Sequence, residues 1–470
     1  MKKIIVIYDD SRKPDQEISA ITGKNSFGCT IFKRQSLKER TQSRFADIDN
    51  VEMFVEAAAF DADALPIKSN DDSVFKLYSD HEITDMDAVK VLLEKSLYAK
   101  ENYAVYCDDK PAAIIYPSVN AYVSQKNIME ERGYERIVSK AFADLSDAPV
   151  FRTFITSGFD ARFFNALSGD EYTVIKSSDN VDKLRREYKY FTLLPAEMKQ
   201  WFATAYGYEE EEGRASYKIE RYHMTDLALR YVHGAIEEDE FRAVMEILFH
   251  FISIRKEKQV SDEEYEQKAK ALYIDKVDER IEEFKQLRGY GRIKEYIASG
   301  TEYQDIDGIL ERYHSLYEKI IKDRKFIKLL TVGHGDLCFS NILYNHDARL
   351  LRLIDPKGAM DEDEMYMNPY YDVAKLSHSI CGSYDYFNSD QYEIVLNDQM
   401  KLELKIDCDN DRYIEIFNEY LEKNGFDSKL IRLYEASLFL SMLPLHMDRE
   451  KKVLGFILNA IKIMDGLEKK

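Results

Sequence analysis

The 470-residue chain is 45% hydrophobic and 32% charged, and its 86 acidic against 66 basic side chains give a formal charge of −20. That is the composition of a folded protein of about three domains or lobes at roughly 150 residues each, and its negative field disfavours nucleic acid and anionic membranes as partners while admitting a neutral or cationic small molecule. Five widely spaced cysteines without a CxxC pair read as reduced thiols, and no apolar run approaches the ~18 residues that cross a bilayer, so a cytoplasmic location is expected.

KKIIVIY, at the start, is an apolar run of strand length, too short for a signal sequence. VEMFVEAAAF, VFKLYS, NYAVYC and PAAIIYPSV follow as further strands, and DMDAVKVLLEKSLYAK (85–100) has helical spacing. Residues 1–145 are therefore expected to form an α/β domain with an open, largely parallel sheet covered on both faces. ITGKNSFG supplies turn residues but neither a GxGxxG run nor a P-loop. Asp80 follows a strand, where ligands often bind in α/β sheets, and is a candidate ligand-site residue.

From about 150 the pattern changes. FRTFITSGF, ARFFNAL and YTVIKSS read as three strands with turns at Gly158 and Ser168-Gly169, VDKLRREYKYFTLL as a helix, and YKIERYHM as another strand. Beyond 235 the chain is expected to be mainly helical. EEYEQKAKALYIDKVDERIEEFKQL and YQDIDGILERYHSLYEKIIKD are amphipathic, and GYGRIKEYIASG between them reads as a turn. RYIEIFNEYLEK, KLIRLYEASLFLSML and REKKVLGFILNAIKIMDGL close the chain as helices.

The stretch TVGHGDLCFSNILYN carries chemistry. Phosphoryl transfer needs a carboxylate to orient the acceptor hydroxyl, ligands for magnesium, and a lysine for the nucleotide phosphates. Here H-G-D is followed by four residues and Asn341, then by LRLIDPKG with Asp355. LLTVGH, ILYN and LRLID read as strands, the last two as a hairpin that brings Asp355 beside Asn341. Lys176 ends the strand YTVIK, and Glu187 lies in the following helix, the order expected of a phosphate-binding lysine and its glutamate partner. A solvated strand lysine and an ordinary helix-surface pair are the plainer alternatives.

HGDLCFSNIL with LIDPKG resembles the aminoglycoside phosphotransferase and choline kinase family, over roughly 150–470. The resemblance implies a protein-kinase-like α+β bilobal fold, with an N-lobe over 146–235 and a mainly helical C-lobe over 236–470 holding the catalytic loop. It implies ATP and magnesium as cofactors, Asp336 as catalytic base, and Asn341 and Asp355 as metal ligands. Lys176 and Glu187 would serve the nucleotide, with Gly158 in the phosphate loop and Glu220 to Tyr222 at the adenine edge. His334 is expected to brace the loop, and Asp372 in YYDVAKLSHS to bond it. Gly335 stands where protein kinases carry arginine, and the VAIK and APE signatures are missing, which favours a small-molecule acceptor: a sugar, amino alcohol or aminoglycoside. DEDE (361–364) could hold a cationic acceptor, but a solvated acidic loop is the preferred reading, and Lys357 and Tyr366 lie nearby. The first domain faintly resembles a degenerate nucleotidyltransferase, which by analogy would suit a pathway to surface (capsular) polysaccharide precursors. A bifunctional kinase–nucleotidyltransferase and a noncatalytic nucleotide-binding protein remain as alternatives.

Overall fold

The run IIVIYD forms the strand Ile4–Asp9, buried along its whole length. It can be apolar on both faces because it lies inside a six-stranded sheet, paired in parallel with Val51–Glu56 on one side and Ser73–Tyr78 on the other. The order continues through Lys110–Tyr116 and Tyr103–Cys107 to the edge strand Glu135–Val138. The expected largely parallel sheet is instead mixed. Lys110–Tyr116 runs antiparallel to both of its neighbours, because only Asp108 and Asp109 separate it from Tyr103–Cys107, and so short a link makes a hairpin. The helix Met86–Tyr98, capped by Asp85, presents Val89, Leu92 and Leu93 to one apolar cluster of this domain, and Val119–Gln125 presents Val119 and Tyr122 to another.

This computed structural model describes residues 2–61, 69–125, 133–156, 167–169, 172–211, 213–222, 224–322, 324–406 and 408–469. The chain divides into two units, Met1–Ser157 with Arg230–Ala235 and Asn345–Ala348, and Gly158–Leu229 with Ile236–Tyr344 and Arg349–Lys470. The expected boundary at 146 falls just ahead of the helix Ala148–Ile155, which belongs to the first unit. That helix replaces the strand expected from FRTFITSGF. Asp147 caps it, Pro149 sits in its first turn, and the buried pair Phe151 and Ile155 follows helical spacing.

The second unit opens with a four-stranded antiparallel sheet in the order Leu167–Gly169, Thr173–Ser178, Arg214–Glu220, Ala205–Glu211. Ser168 and Gly169 are thus in a strand, not the expected turn. The helix Val181–Leu193 packs on this sheet through Leu184, Glu187, Tyr190 and Phe191. Most of the remainder is helical. Tyr371–Ile380, Ser428–Ser441 and Glu450–Glu468 enclose a core around Tyr273, Tyr434, Phe439 and Phe456, with Tyr273 and Tyr434 stacked at 3.6 Å. GYGRIKEYIASG is the helix Tyr290–Gly300, not a turn: Ile293 and Ile297 fill the core, and the absence of a side chain at Gly300 admits Leu402. Among the described residues, no helix is long and apolar enough to cross a membrane.

Candidate active site

Two small sheets position the loop 333–341. Leu329–Val332 enters it, paired with Glu257–Gln259 and Tyr366–Met367. Ile342–Asn345 leaves it, flanked by Thr225–Asp226 and Leu350–Leu353. The loop is then fixed by one buried carboxylate. Asp372 accepts the His334 N–H at Oδ2 and the Gly335 N–H at Oδ1, both at 2.9 Å, and Arg255 Nη1 donates to Oδ2 at 3.1 Å. His334 braces it from inside. Its Nε2 reaches the Ile354 carbonyl at 2.9 Å, its Nδ1 accepts the Asp336 N–H at 3.2 Å, and its ring stacks on Phe202. Burial lowers the imidazole pKa, against nearby carboxylates, so His334 is the neutral Nε2–H tautomer and not a proton carrier.

Gly335 explains why arginine is absent before Asp336. Its φ is +78°, and a Cβ there would come within 2.6 Å of Lys357 Cβ. Asp336 itself is tied back by Asn341, whose Nδ2 donates to the Asp336 carbonyl at 2.8 Å and to Oδ2 at 3.1 Å. Lys375 Nζ lies 2.9 Å from Oδ1. Burial acts against ionisation of Asp336, but the Lys375 charge and hydrogen bond outweigh it and hold the carboxyl below its ordinary range. Burial likewise opposes the Lys375 ammonium, and Asp336 more than compensates. Sequence reasoning passed over Lys375. Its signal was present, since it stands three residues after Asp372 on one helix and so faces the same loop.

Lys176 lies between two carboxylates, with Nζ 2.7 Å from Glu187 Oε2 and 2.9 Å from Asp355 Oδ1. Burial lowers the Lys176 pKa, but Asp355 and Glu187 together raise it above the ordinary lysine value. Tyr217, in register with Lys176, donates its hydroxyl to Glu187 at 3.2 Å, another contact that sequence reasoning did not anticipate. Asp355 adopts φ +55°, a left-handed conformation that aspartate tolerates better than most residues and that is often retained at functional sites. The Ile354 N–H donates to the Asn341 carbonyl at 3.0 Å, which brings the two candidate metal ligands together. With Asp355 Oδ1 on Lys176 and Asn341 Nδ2 on Asp336, the other oxygens, Asp355 Oδ2 and Asn341 Oδ1, are hard ligands that suit magnesium.

The remaining expected residues are placed less tightly. Gly158 lies outside the described residues. The N–H groups of Glu220 and Arg221 already donate to the carbonyls of Thr204 and Tyr172, and the Tyr222 hydroxyl donates to Glu220 at 2.9 Å. The DEDE acids are engaged within the chain: Asp361 caps a short helix, Glu362 pairs with Lys256, Asp363 with Lys258, and Glu364 with Arg186. The Tyr366 hydroxyl reaches Glu362. In the first unit, Asp80, His81 and Asp144 bring one potential ligand atom each within 4.8 Å of one another. Arg12 already sits 3.2 Å from Asp80, and Lys110 sits 2.8 Å from Asp144.

No family model matches the chain, and no curated protein matches it. Among solved structures it is similar to a thermostable mutant of aminoglycoside phosphotransferase APH(4)-Ia, at 12% identity over 64% of this chain and 89% of that one, with a TM-score of 0.37. The GDP complex of wild-type aminoglycoside 2′-phosphotransferase-IIIa matches at 13% identity over 65% and 91%, with a TM-score of 0.38. The aminoglycoside-3′-phosphotransferase of type VIII matches at 12% over 57% and 84%, with a TM-score of 0.34. Likeness this distant carries no functional argument, which has to come from the site geometry.

Proposed function

We propose that the protein is an ATP- and magnesium-dependent phosphotransferase acting on a hydroxyl of a small molecule. The observation that carries this reading is the Lys176–Glu187–Asp355 chain of contacts set beside the Asp336–Asn341 loop. This brings a carboxylate, two hard-oxygen side chains and a lysine with its glutamate partner together in one unit of the chain, which supports the reading. Asp336 orients the acceptor hydroxyl and takes its proton as the new O–P bond forms and the bond to the leaving ADP oxygen breaks. Lys176 binds the nucleotide phosphates, and Glu187 fixes its direction. Magnesium, when bound, neutralises phosphate charge, and Asn341 and Asp355 would hold it. Lys375 keeps Asp336 ionised and aimed. Among the described residues the cysteines form no disulfide with one another, which suits a reducing compartment such as the cytoplasm.

Calorimetry of ATP binding tests this reading. Asp355→Asn should weaken binding in the presence of magnesium by about 10-fold or more while changing metal-free binding little. Equal magnesium dependence in the wild type and the variant would remove Asp355 from the site.

A further inference from the structure

A basic cluster faces the candidate catalytic loop in a chain that is otherwise strongly acidic. Lys276 Nζ donates to the Tyr371 hydroxyl at 3.1 Å. Tyr371 and Lys375 lie one turn apart on the helix Tyr371–Ile380, and Lys375 is bonded to Asp336. The stem of Lys357 lies against Gly335, the residue before Asp336. Carboxylates around the loop already have cations, Asp336 from Lys375, Asp355 from Lys176, and Glu362, Asp363 and Glu364 from Lys256, Lys258 and Arg186. Lys276 and Lys357, by contrast, form no ion pair with a carboxylate among the described residues. Lys276 also follows directly on the π-turn Ala271–Asp275, a distortion that recurs at functional sites.

We propose that the phosphoryl acceptor is an anionic alcohol, carrying a carboxylate or a phosphate group, and that Lys276 and Lys357 hold that group beside Asp336, with the buried Tyr371 hydroxyl positioning Lys276. The proposal rests on the phosphotransferase reading above. It reverses the expectation from net charge, because a local field and not the whole-chain sum meets a bound ligand. The strength of that field shows at Tyr371: burial pushes its hydroxyl pKa up, yet Lys276, Lys375 and Lys357 together bring it below the ordinary tyrosine value. Two ammonium groups without carboxylates are suited to an anion and repel the amino groups of a cationic acceptor. For Lys276 and Tyr371 the position argues for the acceptor and not the nucleotide, since they stand on helices that carry none of the Lys176, Glu187 and Asp355 set; Lys357 follows Asp355 by two residues and meets the catalytic loop through Gly335.

The test uses the full-length protein in two arms. In the first, glucose, glucosamine, glucuronate and glucose 6-phosphate are offered with ATP and magnesium. The anionic members should be preferred, and the last two separate carboxylate from phosphate. Lys276→Met and Lys357→Met should each raise the acceptor KM by about 10-fold, the lower end of what a charge-assisted bond contributes, and leave the ATP KM within about twofold. Preference for glucose or glucosamine, or a change confined to the ATP KM, overturns the proposal. The second arm needs no turnover. Inorganic phosphate and malonate are titrated calorimetrically into protein with ADP and magnesium present. One of them should bind, and the double variant should lose that binding by about 10-fold or more. If neither binds, or the double variant binds equally well, the proposal fails. Failure of the phosphotransferase reading is seen separately, as absence of magnesium-dependent ATP binding.

Discussion

Replacing Lys375 with methionine removes one charge and keeps a side chain of similar length. Lys375 is buried, and its Nζ lies 2.9 Å from Asp336 Oδ1. An opposite charge this close favours the ionised carboxylate over the neutral acid. The Asp336 side chain is 43% exposed. Solvent screens the pair on its exposed side, but the Lys375 charge and hydrogen bond still hold the carboxyl below its ordinary range. The sign follows from the direction of the shift. A carboxyl held low by its partner stays ionised down to acid pH, so losing the partner moves the acid limb of the pH–rate profile to higher pH. The assay is kcat/KM against pH for the wild type, Lys375→Met and Lys375→Arg. The methionine variant should lose rate most at low pH and recover part of it above neutrality, while arginine keeps the wild-type limb. A methionine variant whose rate falls by the same factor at every pH would refute the electrostatic role and leave Lys375 as packing.

Two further predictions concern stability. Burial pushes the Asp385 carboxyl up to about 7. The folded state thus binds a proton that the unfolded state releases between about pH 4 and pH 7, and stability falls as pH rises through that window. Asp385→Asn should raise the melting temperature at pH 8, through at most about 4 kcal/mol, and leave it nearly unchanged at pH 4; equal shifts at both values would contradict the assignment. Asp372→Ala strands the buried Arg255 guanidinium and frees two loop N–H groups, so denaturant unfolding should show a loss of about 3–5 kcal/mol together with lost turnover. A variant with wild-type stability would mean that the loop is held by something else.

Much of this was readable in the sequence where one physical signal dominated. Fully buried strands such as Ile4–Asp9 announce themselves by unbroken apolar runs, and the spacing of Asp336, Asn341 and Asp355 predicts the loop and hairpin that bring them together. The errors came where two signals competed. FRTFITSGF has β-branched and aromatic residues, but Asp147 and Pro149 start a helix and Phe151 and Ile155 complete its buried face. The strand Ala205–Glu211 is glycine-containing, acidic and largely exposed, so no apolar alternation marked it. Strand direction in the first sheet turned on the two-residue link at Asp108 and Asp109, a more decisive signal than the alternation of strands and helices. Lys276 and Lys357 could not be connected from sequence, because 81 positions separate them and only the packing of Tyr371 and Gly335 brings both to the loop.

Transfer of the labelled γ-phosphoryl group of ATP to an acceptor panel, by the wild type and by Asp336→Ala side by side, tests the central claim most directly. The account predicts magnesium-dependent transfer by the wild type. It also predicts loss of about a thousandfold or more in Asp336→Ala, with ATP affinity changed by no more than about twofold, because Asp336 acts on the transition state and not on nucleotide binding. A variant that keeps most of the wild-type rate, or a wild type that binds no nucleotide, would contradict it.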